Sequence, residues 1–178
     1  MKKALLGFAL SAFLINGAAY AETSNDTSAT IAINGFLQQS TSSCVVKLSE
    51  SSVSILDETD KLIKQGENAT AEKLIHVSIM GEDECAQLVA DGKIAYKFKG
   101  TADDADGTVL ANALTDSTAA SGVGIGIFDE DHKPITVNTG TLLAKADTIF
   151  GLQMVALNGK EVAYGNVNSM LTVQIERL

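Results

Sequence analysis

The chain has 178 residues, with 13 Lys and Arg against 22 Asp and Glu and a formal charge of −9. That acidity argues against nucleic acid or an anionic membrane as the main partner. With two histidines, two cysteines and no tryptophan, it offers little material for a metal centre, an imidazole catalyst or a sugar-stacking pocket.

In chain order, Met1-Lys2-Lys3 supplies positive charge, Ala4 to Gly17 is a short apolar run, and Ala19-Tyr20-Ala21 is an A-x-A cleavage site. Residues 1–21 therefore read as a secretory leader, with the mature chain starting at Glu22. The run is too short for a comfortable membrane span, Asn16 interrupts it, and no later segment is apolar enough to replace it. The expected product is exported and soluble. Its 157 residues suffice for one domain with a core, and without Lys2 and Lys3 they carry 11 basic against 22 acidic side chains.

The stretch ETSNDTSA, Glu22 to Ala29, is small and polar and is not expected to fold alone. It reads either as a frayed terminus or as an arm that orders on a partner. Thr30 to Asn34, TIAIN, then alternates apolar and polar residues. Cys44 and Cys85 are predicted to form one disulfide, as a lone pair does in an exported chain. Closing such a loop stabilises a fold by roughly 3–4 kcal/mol in the chain-entropy model.

Helical periodicity is weak: Ala71 to Leu74 and Ala86 to Val89 hold a turn of helix at most. Strands are predicted where apolar residues recur every second position. These are Leu74 to Met80, Lys93 to Lys99 and the Val123-Ile125-Ile127 alternation with glycine; Thr148 to Leu157 is a further strand candidate as an apolar run. Turn-rich stretches separate them at Gly81–Glu84, Asp103–Gly107, Asp129–Lys133 and Asn158-Gly159-Lys160, the Asn-Gly pair being a hairpin signal. Many short strands and one disulfide over this length predict an antiparallel β-sandwich.

The last fourteen residues, GNVNSMLTVQIERL, are the most informative. Val167, Ser169, Leu171, Val173 and Ile175 share one face, while Asn168, Met170, Thr172, Gln174 and Glu176 share the other. This is the period of a half-buried strand, and it runs to the end of the sequence with no later strand to cover it. A strand at each end of the mature chain points to a protein completed by another chain.

These segments resemble, in order and spacing, the structural subunits of chaperone–usher pili of the type 1 fimbrial family. The likeness lies in Ile31, Ile33 and Gly35 before Cys44, in Cys85 after a strand, and in KIAYKFKGTADDADGTVLAN at Lys93 to Asn112. It continues in GVGIGIFDEDHKPI at Gly122 to Ile135, and in Gly165, fourteenth from the end, where such subunits keep a glycine. Arg177 departs from the family's penultimate aromatic, and the N-terminal arm is more polar than that of a main rod subunit.

The resemblance implies an all-β, incomplete immunoglobulin-like sandwich that lacks its seventh strand and is completed by donor-strand exchange. It divides the chain into a leader (1–21), a donor extension (22–34) and a pilin domain (35–178). Thr27, Ala29, Ile31 and Ile33 become the donor face. Gly165, Val167, Ser169, Leu171, Val173 and Ile175 become the acceptor wall. The implied partners are neighbouring pilin subunits, a periplasmic chaperone, an outer-membrane usher and, through exposed loops, a host-surface receptor. The implied destination is a fimbrium on the cell surface, reached through the periplasm, and no cofactor or metal is implied. An incoming strand would bury four or five side chains, a gross gain on the order of 5–10 kcal/mol. That is comparable to the stability of a whole domain.

The motifs point away from an enzyme. There is no G-x-S-x-G elbow, phosphate-cradling loop or H-E-x-x-H. His76 falls on the polar face of a strand and His132 in a turn, where both are expected to face solvent. Asp103-Asp104-Ala105-Asp106-Gly107 lacks the spacing of an EF-hand and reads as an acidic loop, as does Asp129-Glu130-Asp131. The other readings are a minor tip or adaptor subunit with an adhesive role, and a free periplasmic β-sandwich that binds a small ligand.

Overall fold

The computed structural model describes residues 43–178. The predicted leader and the donor-face residues Thr27, Ala29, Ile31 and Ile33 lie outside the described residues. From Ser43 onward the chain forms β1 (Val45–Leu48), β2 (Ile63–Lys64), β3 (Lys73–Met80), α1 (Asp83–Ala90), β4 (Ile94–Lys99) and β5 (Leu110–Ala111). There follow β6 (Val123–Phe128), β7 (Pro134–Ile135), β8 (Thr141–Leu143), β9 (Thr148–Ala156) and β10 (Thr172–Arg177).

The strands make two sheets. One runs β1-β3-β9-β6-β5, with β2 beside β9 and β7 beside β6; the other runs β10-β4-β8. Pairing is antiparallel except between β2 and β9. The period-two segments drive this arrangement. Ile75 and Val77 of β3, Ile125 and Ile127 of β6, and Phe150 and Leu152 of β9 are buried in one cluster with Ile94, Tyr96 and Phe98 of β4. The Phe98 and Phe150 rings meet edge to face between the sheets, with centroids 5.1 Å apart. The result is a two-sheet β-sandwich with one short helix among the described residues. A second cluster (Ala69, Val109, Phe128, Val155 and Leu157) covers the other face of β6 and the end of β9. This explains why β6 is buried along its whole length although its sequence alternates.

Cys44 and Cys85 are bonded, with Cα atoms 5.6 Å apart, so the chain before β1 is tied to α1. The helix corrects the sequence reading, which had a turn at Gly81–Glu84 and at most one helical turn after it. Asp83 and Glu84 sit in its first turn, where carboxylates complement the helix dipole. Its end is a Schellman motif: Gly92 adopts φ +66°, its N–H donates to the Val89 carbonyl, and the Lys93 N–H donates to the Leu88 carbonyl. Ala71–Leu74 is not helical, and Leu74 already belongs to β3.

The Asn158-Gly159 signal marks a turn, closed by Lys160 N–H to the Leu157 carbonyl at 3.2 Å. It is not a hairpin between paired strands, because the chain there leaves one sheet and the final strand joins the other. The Asp129–Lys133 turn does join two paired strands, β6 and β7.

Candidate functional site

The sandwich is open along one seam. Among the described residues β10 pairs only with β4, from Thr172 opposite Lys99 to Arg177 opposite Ile94. Across the seam β1 pairs only with β3. After β1, Ser49 is still tied to β3: its N–H donates to the His76 carbonyl at 2.9 Å and its Oγ accepts the His76 N–H at 3.1 Å. Residues 50–58 then run without joining either sheet.

Between these segments lies a groove of about 440 Å³. Leu48, Val53 and Ile55 line it on one side, and Val167, Ser169, Leu171 and Val173 on the other. Ile75, Ile125, Phe150, Leu152 and Met154 of the larger sheet, with Leu110, form its floor. Among the described residues Glu50 is the only charged one in the lining, and it pairs with Lys73 at 3.1 Å. A smaller hollow of about 80 Å³ adjoins Val167 and is bounded by Asp57, Glu58, Val123, Tyr164 and Gly165. From Val167 to Val173 the lining covers six residue steps, about 20 Å of extended chain. The floor of the space is apolar, and Ser51, Ser52, Ser54, Asn168 and Ser169 add polar groups along its walls.

Each residue predicted for this wall has a definite place. Val167, Ser169, Leu171, Val173 and Ile175 are half-buried, and Asn168, Met170, Thr172 and Gln174 are exposed. Val167, Ser169, Leu171 and Val173 line the groove, while Ile175 packs against the core beyond it. Gly165 lies at the far end. There the backbone runs so close to a neighbouring loop that a Cβ would stand 2.4 Å from the Ala120 nitrogen. A side chain at this position would have to push two backbones apart.

The predicted continuous strand from Gly165 to Leu178 is in fact two pieces. β4 offers six residues, enough to pair only Thr172 to Arg177. The upstream piece is held by the loop after β5 instead. The Asn112 side chain donates to the Ala120 and Asn166 carbonyls, both at 3.0 Å, and accepts the Asn168 N–H at 3.0 Å. The Ala113 N–H donates to the Asn168 carbonyl at 2.7 Å, and Ser169 Oγ donates to the Ala111 carbonyl at 2.5 Å. The wall is thus fixed from behind, and its free edge faces the groove.

Sequence reasoning missed the opposite wall. Its signal was present in SESSVSIL, Ser49 to Leu56, where Val53 and Ile55 alternate with serine.

The other polar clusters act within the fold. Asp103 is buried. Its carboxylate accepts the N–H groups of Ala105, Asp106 and Val109 and the Gln65 amide, all within 3.0 Å. Burial opposes its ionisation, but these donors outweigh that and hold its carboxyl below the ordinary carboxylate range. Asp104 pairs with Lys160 at 2.8 Å, and Asp106 accepts from Asn158 at 2.7 Å. His76 is exposed beside Asp147, and His132 contacts Glu72; neither lines the groove.

Among the described residues the molecule is thus a two-sheet sandwich with a groove beside the segment that leads into its last strand. Residues 24–176 match the fimbrial protein family model, and the chain belongs to that family. It is 32% identical over 155 residues to long polar fimbria protein A of Salmonella typhimurium, covering 84% of this chain and 81% of that one. Among solved structures it is similar to the P pilus rod subunit PapA, with 11% identity and a TM-score of 0.43 over 84% of this chain and all of the other.

Proposed function

We infer that this structural subunit of a surface fimbrium polymerises by strand donation. The groove beside β10 accepts an extended segment from a neighbouring copy, and the donor is the N-terminal arm, residues 22–34. The observation that carries this reading is the seam itself. Among the described residues β10 is paired on one edge, and the segment that leads into it, Val167 to Val173, lines a groove with an apolar floor. An added strand would satisfy the backbone of β10 and cover the core floor at once, as in other cases of strand addition to a sheet edge. Ala29, Ile31 and Ile33 supply the apolar face of the arm. Before assembly the same groove would be held by a periplasmic chaperone and emptied at an outer-membrane usher.

Mixing the purified mature chain with a peptide spanning Glu22 to Gly35 tests this. Strand donation predicts a large rise in melting temperature and loss of self-association. A peptide without effect would instead favour a sandwich that holds a small ligand. In cells, Ile31→Asp should leave a subunit that accepts a neighbour but cannot donate. Fibres of normal length from that variant would refute the assignment of the arm.

A further inference from the structure

Three loops of the sandwich are stitched together by side-chain amides. Gln65, 5% exposed, donates to Asp103 Oδ2 at 3.0 Å and to Thr108 Oγ1 at 2.8 Å, and its Oε1 accepts the Asn158 N–H at 3.2 Å. The Asn158 side-chain amide closes the network. Its Nδ2 donates to Asp106 Oδ2 at 2.7 Å and to the Gln65 carbonyl at 3.4 Å. Asn158 is exposed, occupies a turn, and is followed by Gly159.

We propose that Asn158 is a site of spontaneous deamidation, held in check by its hydrogen bond to Asp106. Gly159 has no side chain to obstruct approach of its backbone nitrogen to the Asn158 side-chain carbonyl carbon. In that attack the Gly159 nitrogen loses its proton, a C–N bond closes a five-membered imide, and the Asn158 Nδ2 leaves as ammonia. Water then opens the imide, giving either aspartate or an isoaspartyl linkage. No oxidant, reductant or further reactant takes part. The bonds to Asp106 and Gln65 tie the leaving amide nitrogen to the neighbouring loops, so the reaction waits on their opening. Its product does not fit the network. A carboxylate at 158 can no longer donate to Asp106 and faces it with like charge, and an isoaspartyl link adds a backbone atom to the turn. Conversion would therefore loosen the junction of the 64–66, 103–109 and 158–160 loops irreversibly, which makes the site a record of the age of the chain.

The test is to age the purified mature chain in warm, mildly alkaline buffer and follow deamidation by peptide mapping with isoaspartate detection. Asn34-Gly35, the other Asn-Gly pair of the mature sequence, serves as an internal reference. Asp106→Ala should speed conversion at Asn158 by about threefold or more, the effect of one hydrogen bond of ordinary strength, without changing the Asn34 rate. Lys160→Ala breaks the ion pair to Asp104 in the same loops but spares the Asn158 amide, and should leave the rate unchanged. Equal acceleration by both variants would mean general loosening and overturn the proposal. So would slower conversion in Asp106→Ala, which would make that carboxylate a base rather than a restraint, or an Asn158 that stays intact in all three proteins.

Discussion

β6 and β10 are both six-residue strands with apolar residues at alternate positions, yet their fates differ. β6 is paired along both edges and buried at every residue. Among the described residues β10 is paired along one edge, and it is half-buried at Val173, Ile175 and Glu176 and exposed elsewhere. The same pattern thus serves as finished core in one strand and as an unfinished wall in the other. What separates them is what lies across each strand: β6 has β9, β5 and β7 at its edges and the Phe128 cluster over its second face, whereas among the described residues β10 has β4 at one edge and opens at Val173 onto the groove.

The comparison can be broken at several points. The largest expected effect is in the finished strand. Ile127→Ala, at a side chain 1% exposed, should lower the stability of the peptide-complemented domain by about 2–5 kcal/mol in urea unfolding. Leu171→Asp, in the groove wall that leads into β10, should cost the lone domain much less and should abolish the stabilisation by the Glu22–Gly35 peptide. If it unfolds the domain as Ile127→Ala does and the peptide still works, the two strands are not different in kind. Loss of the disulfide by paired Cys44→Ser and Cys85→Ser changes should cost roughly 2–4 kcal/mol, because it frees the chain that leads into the opposite wall from α1. Peptide affinity should fall with it, and an unchanged affinity would show that the wall does not depend on that tie.

The smallest effect concerns acid. Because the folded pKa of Asp103 is held below its unfolded value, its contribution is fully present above the ordinary carboxylate range. It is lost as the pH falls through the lowered value, below about pH 4. Asp103→Asn should therefore cost about 1–3 kcal/mol at neutral pH, and the gap from the parent should close in acid. A gap that persists at low pH would assign the cost to packing instead of charge. Peptide binding at neutral pH should be unaffected, since Asp103 does not line the groove.

Much of this was legible in residue order. Alternation placed β3, β4 and β6 close to their observed bounds, because burial on one sheet face writes itself at every second residue; β9 was legible as an apolar run, in keeping with its burial on both faces. The face of Val167, Leu171, Val173 and Ile175 was legible for the same reason. α1 was not: its eight residues are too short for a clear helical period, and what ends it is a cap at Gly92 rather than a pattern. The Asn158-Gly159 turn was legible as a turn, but the sheet its far side would join was not.

The sequence by itself determined which residues are apolar on which side, that Cys44 and Cys85 had one another to bond with, and that the chain belongs among β-sandwiches. These follow from local periodicity and composition. Only the tertiary structure decided that the final alternating segment is divided at Thr172, that Val53 and Ile55 face it, and that a trough lies between. Those outcomes depend on how many residues β4 offers as a partner and on where β1 stops pairing, and both are properties of strands remote in sequence from the segment they shape.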